Sequence, residues 1–231
     1  MYELESRQHT TVAAQRGVFL QRTYSTLLGA VLGLCLTLSV FFQLGWAEPM
    51  ARAMMGGRGT WLLVLGAFMV VGWFGSRVAM TAKSMGAQYA ALFAYVLAEA
   101  LILTPILYVA HTFYPGIITQ AAGLTIAGFT GLTAIVFFTK KDFSFLGGVV
   151  RWGFLVALLL IVASLVFGGF TLGLWFSGAM VLLAGASVLY DTSTILRHFP
   201  DDRYVGAALS LFASVAVMFF YVLRLLMSLR D

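Results

Sequence analysis

The sequence has few charged residues and a single cysteine. Only 10% of its 231 residues are charged and 61% are hydrophobic, whereas an average soluble domain is about 25% charged. Cys35 is alone, so the chain has no internal disulfide and no thiolate cluster. The low charge excludes a soluble globular domain and a disordered chain. A polytopic membrane protein remains, and this length accommodates one bundle without a second domain.

The charge that is present is mostly basic, with a net value of +5 at pH 7. In a soluble protein such a balance would suggest nucleic-acid binding. Here the lysines and arginines are scattered through short polar segments, which is how a membrane protein sets its orientation. We therefore expect a lipid bilayer as the partner, and no nucleic acid.

Seven apolar stretches are each long enough to cross a bilayer as a helix, which takes about 20 residues. Strands of a membrane barrel would be about ten residues long with strict alternation, which these runs lack. The sequence therefore predicts an all-α fold, a seven-transmembrane-helix bundle at 24–231 preceded by a polar cytoplasmic tail at 1–23. The predicted spans are 24–44, 60–80, 87–110, 116–138, 148–167, 171–195 and 205–226.

The orientation follows from the distribution of lysine and arginine. With seven spans, the N-terminus and the even-numbered loops share one side of the membrane. That side carries ten of the 14 basic residues: Arg7, Arg16, Arg22, Arg77, Lys83, Lys140, Lys141, Arg151, Arg197 and Arg203. We expect the N-terminus in the cytoplasm and the C-terminus outside.

Of the ionisable residues inside predicted spans, where a charge is costly and marks a candidate site, three stand out. Glu99 lies near the middle of the third span and is either a proton or cation site or a neutral acid bonded across the bundle. Asp191 and Arg77 lie at similar depth near the cytoplasmic side, where a pair could latch two helices until the acid is protonated. The alternatives are that Arg77 extends to the headgroups and that Asp191 caps a helix end.

Signals of catalysis or cofactor binding are absent from the sequence. The histidines are isolated, without a second ligand at metal spacing, and no phosphate-binding, dinucleotide-binding or nucleophile-elbow motif occurs. An intramembrane protease would need paired groups at one depth, whereas Asp191 and Glu99 differ by roughly 12 Å. We expect no catalytic residue, no metal site, no cofactor and no enzyme activity.

Three segments of the second half resemble the Bax-inhibitor family of membrane proteins: 139–148 (TKKDFSFLGG), 190–193 (YDTS) and 207–212 (AALSLF). The first segment is particularly similar to the bacterial YccA-like branch. The resemblance extends over the chain from the first span onward. It implies a seven-helix bundle with the last helix near its centre, located in the bacterial inner membrane.

The resemblance also implies a function and assigns candidate residues. Family members are linked to a pH-sensitive calcium leak, in which two acids share protons and an arginine of the second helix latches one of them. Asp191 matches the first acid and Arg77 the latch, but Ser214 stands where the second acid would be. A coupled pair of acids therefore cannot form there.

Two interpretations stay open. One is a proton-regulated calcium or cation leak, for which Glu99 could supply the missing acid if the third and seventh spans are neighbours. The other follows from the YccA-like branch, which resembles proteins that bind and modulate the membrane AAA protease FtsH. In that case the polar N-terminal tail is the expected contact, and no transport occurs.

Overall fold

The computed structural model describes residues 2–55, 57–82, 84–139, 141–167 and 172–230. Every regular element in this part of the chain is an α-helix, which confirms the predicted fold class. The helices are α1 (Tyr2–Gln43), α2 (Ala47–Met55), α3 (Arg58–Thr81), α4 (Met85–Phe113), α5 (Ile117–Thr139), α6 (Leu146–Phe167), α7 (Leu174–Arg197) and α8 (Tyr204–Ser228). The long helices cover the predicted spans with ends that differ by a few residues, except that α1 starts far earlier.

Six helices in the described part of the chain are long and apolar enough to cross a membrane. They are α1 from Gln15 onward and α4 to α8. The structure thus supports a multi-pass membrane protein. It does not establish the seven spans that the sequence predicts. The remaining long helix is α3, whose 24 residues cover the predicted second span.

The predicted tail and the first span are parts of one helix. α1 continues from Tyr2 to Gln43 without a break. Phe19 and Thr23, both inside the predicted tail, are buried against the bundle. The polar segment is therefore joined to the first span by continuous helical backbone.

The short helix α2 is absent from the prediction, which treats this region as a connection between spans. Its nine residues are too few to cross a bilayer. Ala47, Ala51 and Met54 are buried, at the spacing that places side chains on one helix face, and this helix packs on α4. Glu48 and Arg52 form an exposed ion pair. α2 is thus an amphipathic element that covers one end of the bundle.

The loops meet at two ends of the bundle. At the first, here called the Arg16 end, Arg16 of α1 donates hydrogen bonds to the carbonyls of Ile195 and Phe199 and pairs with Asp201. Arg203 donates a 2.5 Å hydrogen bond to the Ala82 carbonyl after α3. These contacts join the start of α1 to the α3–α4 and α7–α8 connections. Lys83 and Lys140, which count in the orientation argument, lie outside the described residues.

The opposite end, here called the Arg230 end, is held by two arginines of the C-terminal region. Arg230 donates to the Pro115 carbonyl (3.3 Å) and to Gln120 Oε1 (3.0 Å) in the α4–α5 region. Arg224 donates a 2.5 Å hydrogen bond to the Leu172 carbonyl just before α7. α1, α4, α6 and α8 therefore run from the Arg16 end to the Arg230 end, and α5 and α7 run back.

The last helix is central, as the resemblance implies. α8 contacts α1, α3, α4, α5 and α7. Its buried positions include small residues that allow neighbouring backbones to come close: Gly206, Ala207, Ala208, Ser214 and Ala216. Close helix contact around α8 thus depends on short side chains.

Gly206 provides a test of this packing. A Cβ atom at Gly206 would lie 3.1 Å from the Ala79 carbonyl oxygen of α3, whereas a Cβ at Gly29 of α1 would meet nothing within 4 Å. Overpacking costs about 1–3 kcal/mol, so we expect Gly206→Val to lower the unfolding midpoint in a denaturation experiment. Gly29→Val is the matched control. Equal midpoints for the two variants would contradict the close α3–α8 contact.

Candidate functional site

Asp191 lies inside α7, six residues before its last residue, Arg197. It is therefore about 9 Å from the helix end, and the interpretation of this residue as a helix-end cap is wrong. Its Oδ2 accepts a 2.5 Å hydrogen bond from the Ser214 hydroxyl of α8. The Asp191 carboxyl group thus connects two neighbouring helices.

Ser214 takes part in a second hydrogen bond. Its Oγ lies 2.8 Å from Oγ of Ser187, one turn before Asp191 on α7. A hydroxyl has one proton to donate, and Ser214 donates it to Asp191. Ser187 is therefore the donor to Ser214, so that a directed chain Ser187–Ser214–Asp191 crosses between α7 and α8. A hydroxyl, not a second carboxylate, faces Asp191.

A further group of hydroxyls lies at a depth in the bundle similar to that of Asp191, and one of them belongs to the next residue, Thr192. The Tyr24 hydroxyl of α1 lies beside those of Thr192 on α7 and Thr133 on α5. All three oxygens are buried, and none completes a hydrogen bond within the described residues. Together with the serine chain, they form a polar layer in the half of the bundle nearer the Arg16 end.

Glu99 is buried on α4, with 4% of its surface exposed, and does not face lipid. Its Oε2 has no hydrogen-bond partner among the described residues. One turn earlier, Tyr95 packs edge-on against Phe212 of α8, with ring centroids 6.0 Å apart. α4 and α8 are therefore neighbours, as the hypothesis about Glu99 requires.

Ser214 and Phe212 lie on different faces of α8. Ser214 is two residues after Phe212, which places it about 200° around the helix. Its hydroxyl points to α7, whereas Phe212 contacts α4. The structure thus joins Ser214 to Asp191, and the replacement of the missing acid by Glu99 stays a prediction.

Arg77 lies on an exposed part of α3, one turn before Thr81, whose hydroxyl donates to the Arg77 carbonyl (2.7 Å). Its helix packs on α4 and α8. The partner that the structure gives Asp191 is Ser214. The latch between Arg77 and Asp191 therefore stays a prediction.

A second cluster joins the α5–α6 loop to the end of α7. Ser193 donates to Asp142 Oδ1 (3.1 Å) and accepts a 2.9 Å hydrogen bond from the Phe143 backbone N–H. Ser144 N–H also donates to Asp142 Oδ1 (2.9 Å). The hydrogen bonds from the side chain and backbone of Ser144, together with that from Ser193, lower the pKa of Asp142 to about 2. This exposed loop carboxylate therefore fastens the loop to α7.

The pH dependence of this contact follows from the sign of the pKa shift. A lowered pKa contributes stability above the ordinary pKa near 4, and this stability is lost as the pH falls through about 2. We expect Asp142→Asn to lower the unfolding midpoint slightly at pH 7 and to differ less from wild type at pH 2. Asp202→Asn controls for the loss of one loop charge. A difference between wild type and Asp142→Asn that does not change with pH would contradict this assignment.

Among the described residues, no three histidine, cysteine, aspartate or glutamate side chains converge as metal ligands would. The polar layer instead consists of hydroxyls around one carboxyl group. Sequence reasoning identified Asp191 and Ser214 but missed Ser187, Tyr24 and Thr192. These three residues could have been found from the sequence as hydroxyl-bearing residues that lie within or beside an apolar run.

Comparisons with known proteins place the chain in a family. Residues 16–231 match the model of the family described as "Inhibitor of apoptosis-promoting Bax1". An uncharacterized protein of Pseudomonas aeruginosa is 38% identical over 109 residues, 47% of this chain and 49% of that protein. The "Modulator of FtsH protease YccA" of Escherichia coli is 34% identical over 110 residues, 48% and 50% of the two chains.

A eukaryotic relative is also similar. "Protein lifeguard 4" of Mus musculus is 31% identical over 136 residues, 58% of this chain and 56% of that protein. The chain spans about half the length of the curated relatives it matches. The family model, by contrast, extends over all the spanning helices. The chain belongs to the Bax-inhibitor family of membrane proteins.

Proposed function

We propose that this protein is a non-enzymatic, multi-pass component of a bacterial inner membrane that binds and modulates an FtsH-type AAA protease. The similar protein of E. coli is named a modulator of FtsH protease, and a second E. coli relative is named an inner membrane protein. Each similarity spans about half of the relative, so an FtsH-type partner for this chain is our proposal.

The proposed membrane arrangement has seven spans, namely α3 and the six helices that are long and apolar enough to cross a membrane. In support, α3 starts three residues after α2, which packs against α4, and it ends beside Ala82, which Arg203 holds at the Arg16 end. The excess of lysine and arginine supports a cytoplasmic Arg16 end. The N-terminus then lies in the cytoplasm and the C-terminus outside.

The observation that carries the proposal is the hydrogen bond from Ser214 to Asp191. A leak controlled by two acids needs a second carboxyl group, and here a hydroxyl satisfies the first one. The bundle therefore has a polar contact that does not depend on two acids sharing protons. Such a contact suits a scaffold whose shape a partner recognises.

The proposed contact with the protease is the polar segment ahead of Arg16. Arg16 attaches α1 to the α7–α8 connection, and residues 2–14 come before this contact along the chain. In the proposed orientation they lie on the cytoplasmic side. Chain termini are common points of access for proteases.

The first test is binding of purified FtsH to the protein in lipid nanodiscs. We expect deletion of residues 2–14, with Arg16 retained, to weaken binding at least tenfold, and Asp191→Asn to leave it within a factor of two. A variant with residues 2–14 shuffled separates sequence recognition from length. Full binding by the deletion variant would contradict the proposed contact, and absence of binding by wild type would contradict the function.

A second candidate function is a proton-regulated cation leak. It is favoured by the buried Glu99 and by the polar layer around Asp191, because ionisable groups inside a membrane commonly mark ion pathways. In this interpretation Asp191, Arg77 and Glu99 form the switch, and calcium ions or protons are the permeants.

The leak is tested by calcium flux into liposomes that contain the purified protein, at pH 6 and pH 8. A leak predicts flux that changes with pH and is lost in Asp191→Asn. Ser214→Asp restores the second acid and should increase the pH dependence. Flux no greater than in empty liposomes, from folded wild type and Ser214→Asp alike, would exclude the leak.

A further inference from the structure

A cleft of about 520 Å³ lies between α1, α4, α5 and α8 in the half nearer the Arg230 end. This volume falls within the range of small-molecule sites. Cys35 and Ile126 are exposed at its edge, so the cleft opens on the outer face of membrane-spanning helices. Its walls are apolar and include the aromatic rings of Phe42, Phe212 and Phe219. A ligand would enter from the bilayer.

One wall of the cleft carries a buried hydroxyl. Thr125 of α5 is 3% exposed, and its Oγ1 has no hydrogen-bond partner among the described residues. Three other buried threonine hydroxyls also lack a partner there, those of Thr133, Thr192 and Thr194, but none of these residues lines this cleft. Six threonines donate to the carbonyl four residues earlier: Thr23, Thr37, Thr81, Thr104, Thr112 and Thr139. Thr125 does not use the carbonyl of Ala121 in this way, so its hydroxyl remains available to a ligand.

The other two polar side chains of the cleft, Ser39 and His111, are either bonded to the backbone or located at the mouth. The Ser39 hydroxyl donates to the Cys35 carbonyl at 2.8 Å. His111 is exposed at the mouth, where its ring packs edge-on against Phe42 with centroids 5.6 Å apart. Among the residues that the structure describes, no aspartate, glutamate, lysine or arginine lines the cleft. Inside it, the Thr125 hydroxyl is therefore the donor that a ligand would meet.

We propose that this cleft binds a neutral, lipid-soluble molecule with a hydrocarbon tail and a carbonyl oxygen that accepts a hydrogen bond from Thr125. The apolar walls select the hydrocarbon, and the lack of charged lining disfavours an anion. An unpaired hydroxyl in an apolar environment is costly, which favours a ligand with an acceptor over a plain alkane. The site is separate from the polar layer around Asp191.

A second cleft of about 720 Å³ provides an internal comparison. It lies between α6 and α7 and is lined by apolar residues that include Trp152, Ala179 and Leu183. None of the described residues that line it carries a hydroxyl side chain. A molecule that merely partitions into apolar grooves would occupy both clefts, whereas the proposed ligand distinguishes them.

The single cysteine makes the experiment selective, because a trifluoroethylthio group on Cys35 gives one fluorine NMR signal at the edge of the cleft. The tagged protein in phosphatidylcholine nanodiscs is titrated with a long-chain methyl ketone and with the n-alkane of equal carbon number. We expect a saturable shift, with the ketone half-saturating at a mole fraction roughly fivefold lower than the alkane, as one hydrogen bond would give.

The variants isolate the hydrogen bond. Thr125→Val should abolish the preference for the ketone, and Thr125→Ser should retain it. Ala122→Phe should abolish saturation by filling the cleft, whereas Ala179→Phe, in the second cleft, should leave it unchanged. Equal half-saturation by ketone and alkane in wild type, a preference that survives Thr125→Val, or no saturable shift with either molecule would overturn the proposal.

Discussion

Close packing around α8 is the constraint on which the other features of this bundle depend. Lipid tails are as apolar as leucine side chains, so helices in a bilayer associate through tight van der Waals contact and hydrogen bonds. α8 meets five other helices, and short side chains such as Gly206 and Ala207 line its buried surface. Where those neighbours also carry hydroxyls, close approach brings polar groups within hydrogen-bond distance. The Ser187–Ser214–Asp191 chain is a product of this proximity.

Polar and apolar features are separated along the bundle axis. The serine chain, the hydroxyls beside Thr192 and the Asp142 cluster lie toward the Arg16 end, where four arginine and aspartate contacts also hold the loops. The Arg230 half contains the apolar cleft, whose buried hydroxyl is that of Thr125. The arrangement therefore combines a buried polar layer in one half of the bundle with an apolar cleft at the outer face of the other half.

Much of the fold could be predicted because apolar runs of spanning length determine where membrane helices lie. The same criterion missed α2, since nine residues cannot span and its burial signal consists of only Ala47, Ala51 and Met54. Asp191 was identified because a charge within an apolar run is conspicuous. Its hydrogen bond with Ser214 required the relative rotation of α7 and α8, which a single sequence does not specify. Thr125 carried no signal, because the sequence does not distinguish it from threonines such as Thr23 and Thr104, which bond their own backbone.

If Ser214 stands in the place of a second acid, as the resemblance implies, α7 and α8 would respond to protons differently from a pair of helices joined by two acids. Two facing carboxyl groups attract each other while they share a proton and repel each other when both are charged. A serine hydroxyl can donate to a charged carboxylate and can still donate to, or accept from, a protonated one. The contact between Asp191 and Ser214 is therefore compatible with either protonation state, and no repulsive state separates the helices. This compatibility with both protonation states fits the proposed role in binding, which does not require the contact between α7 and α8 to open as a gate.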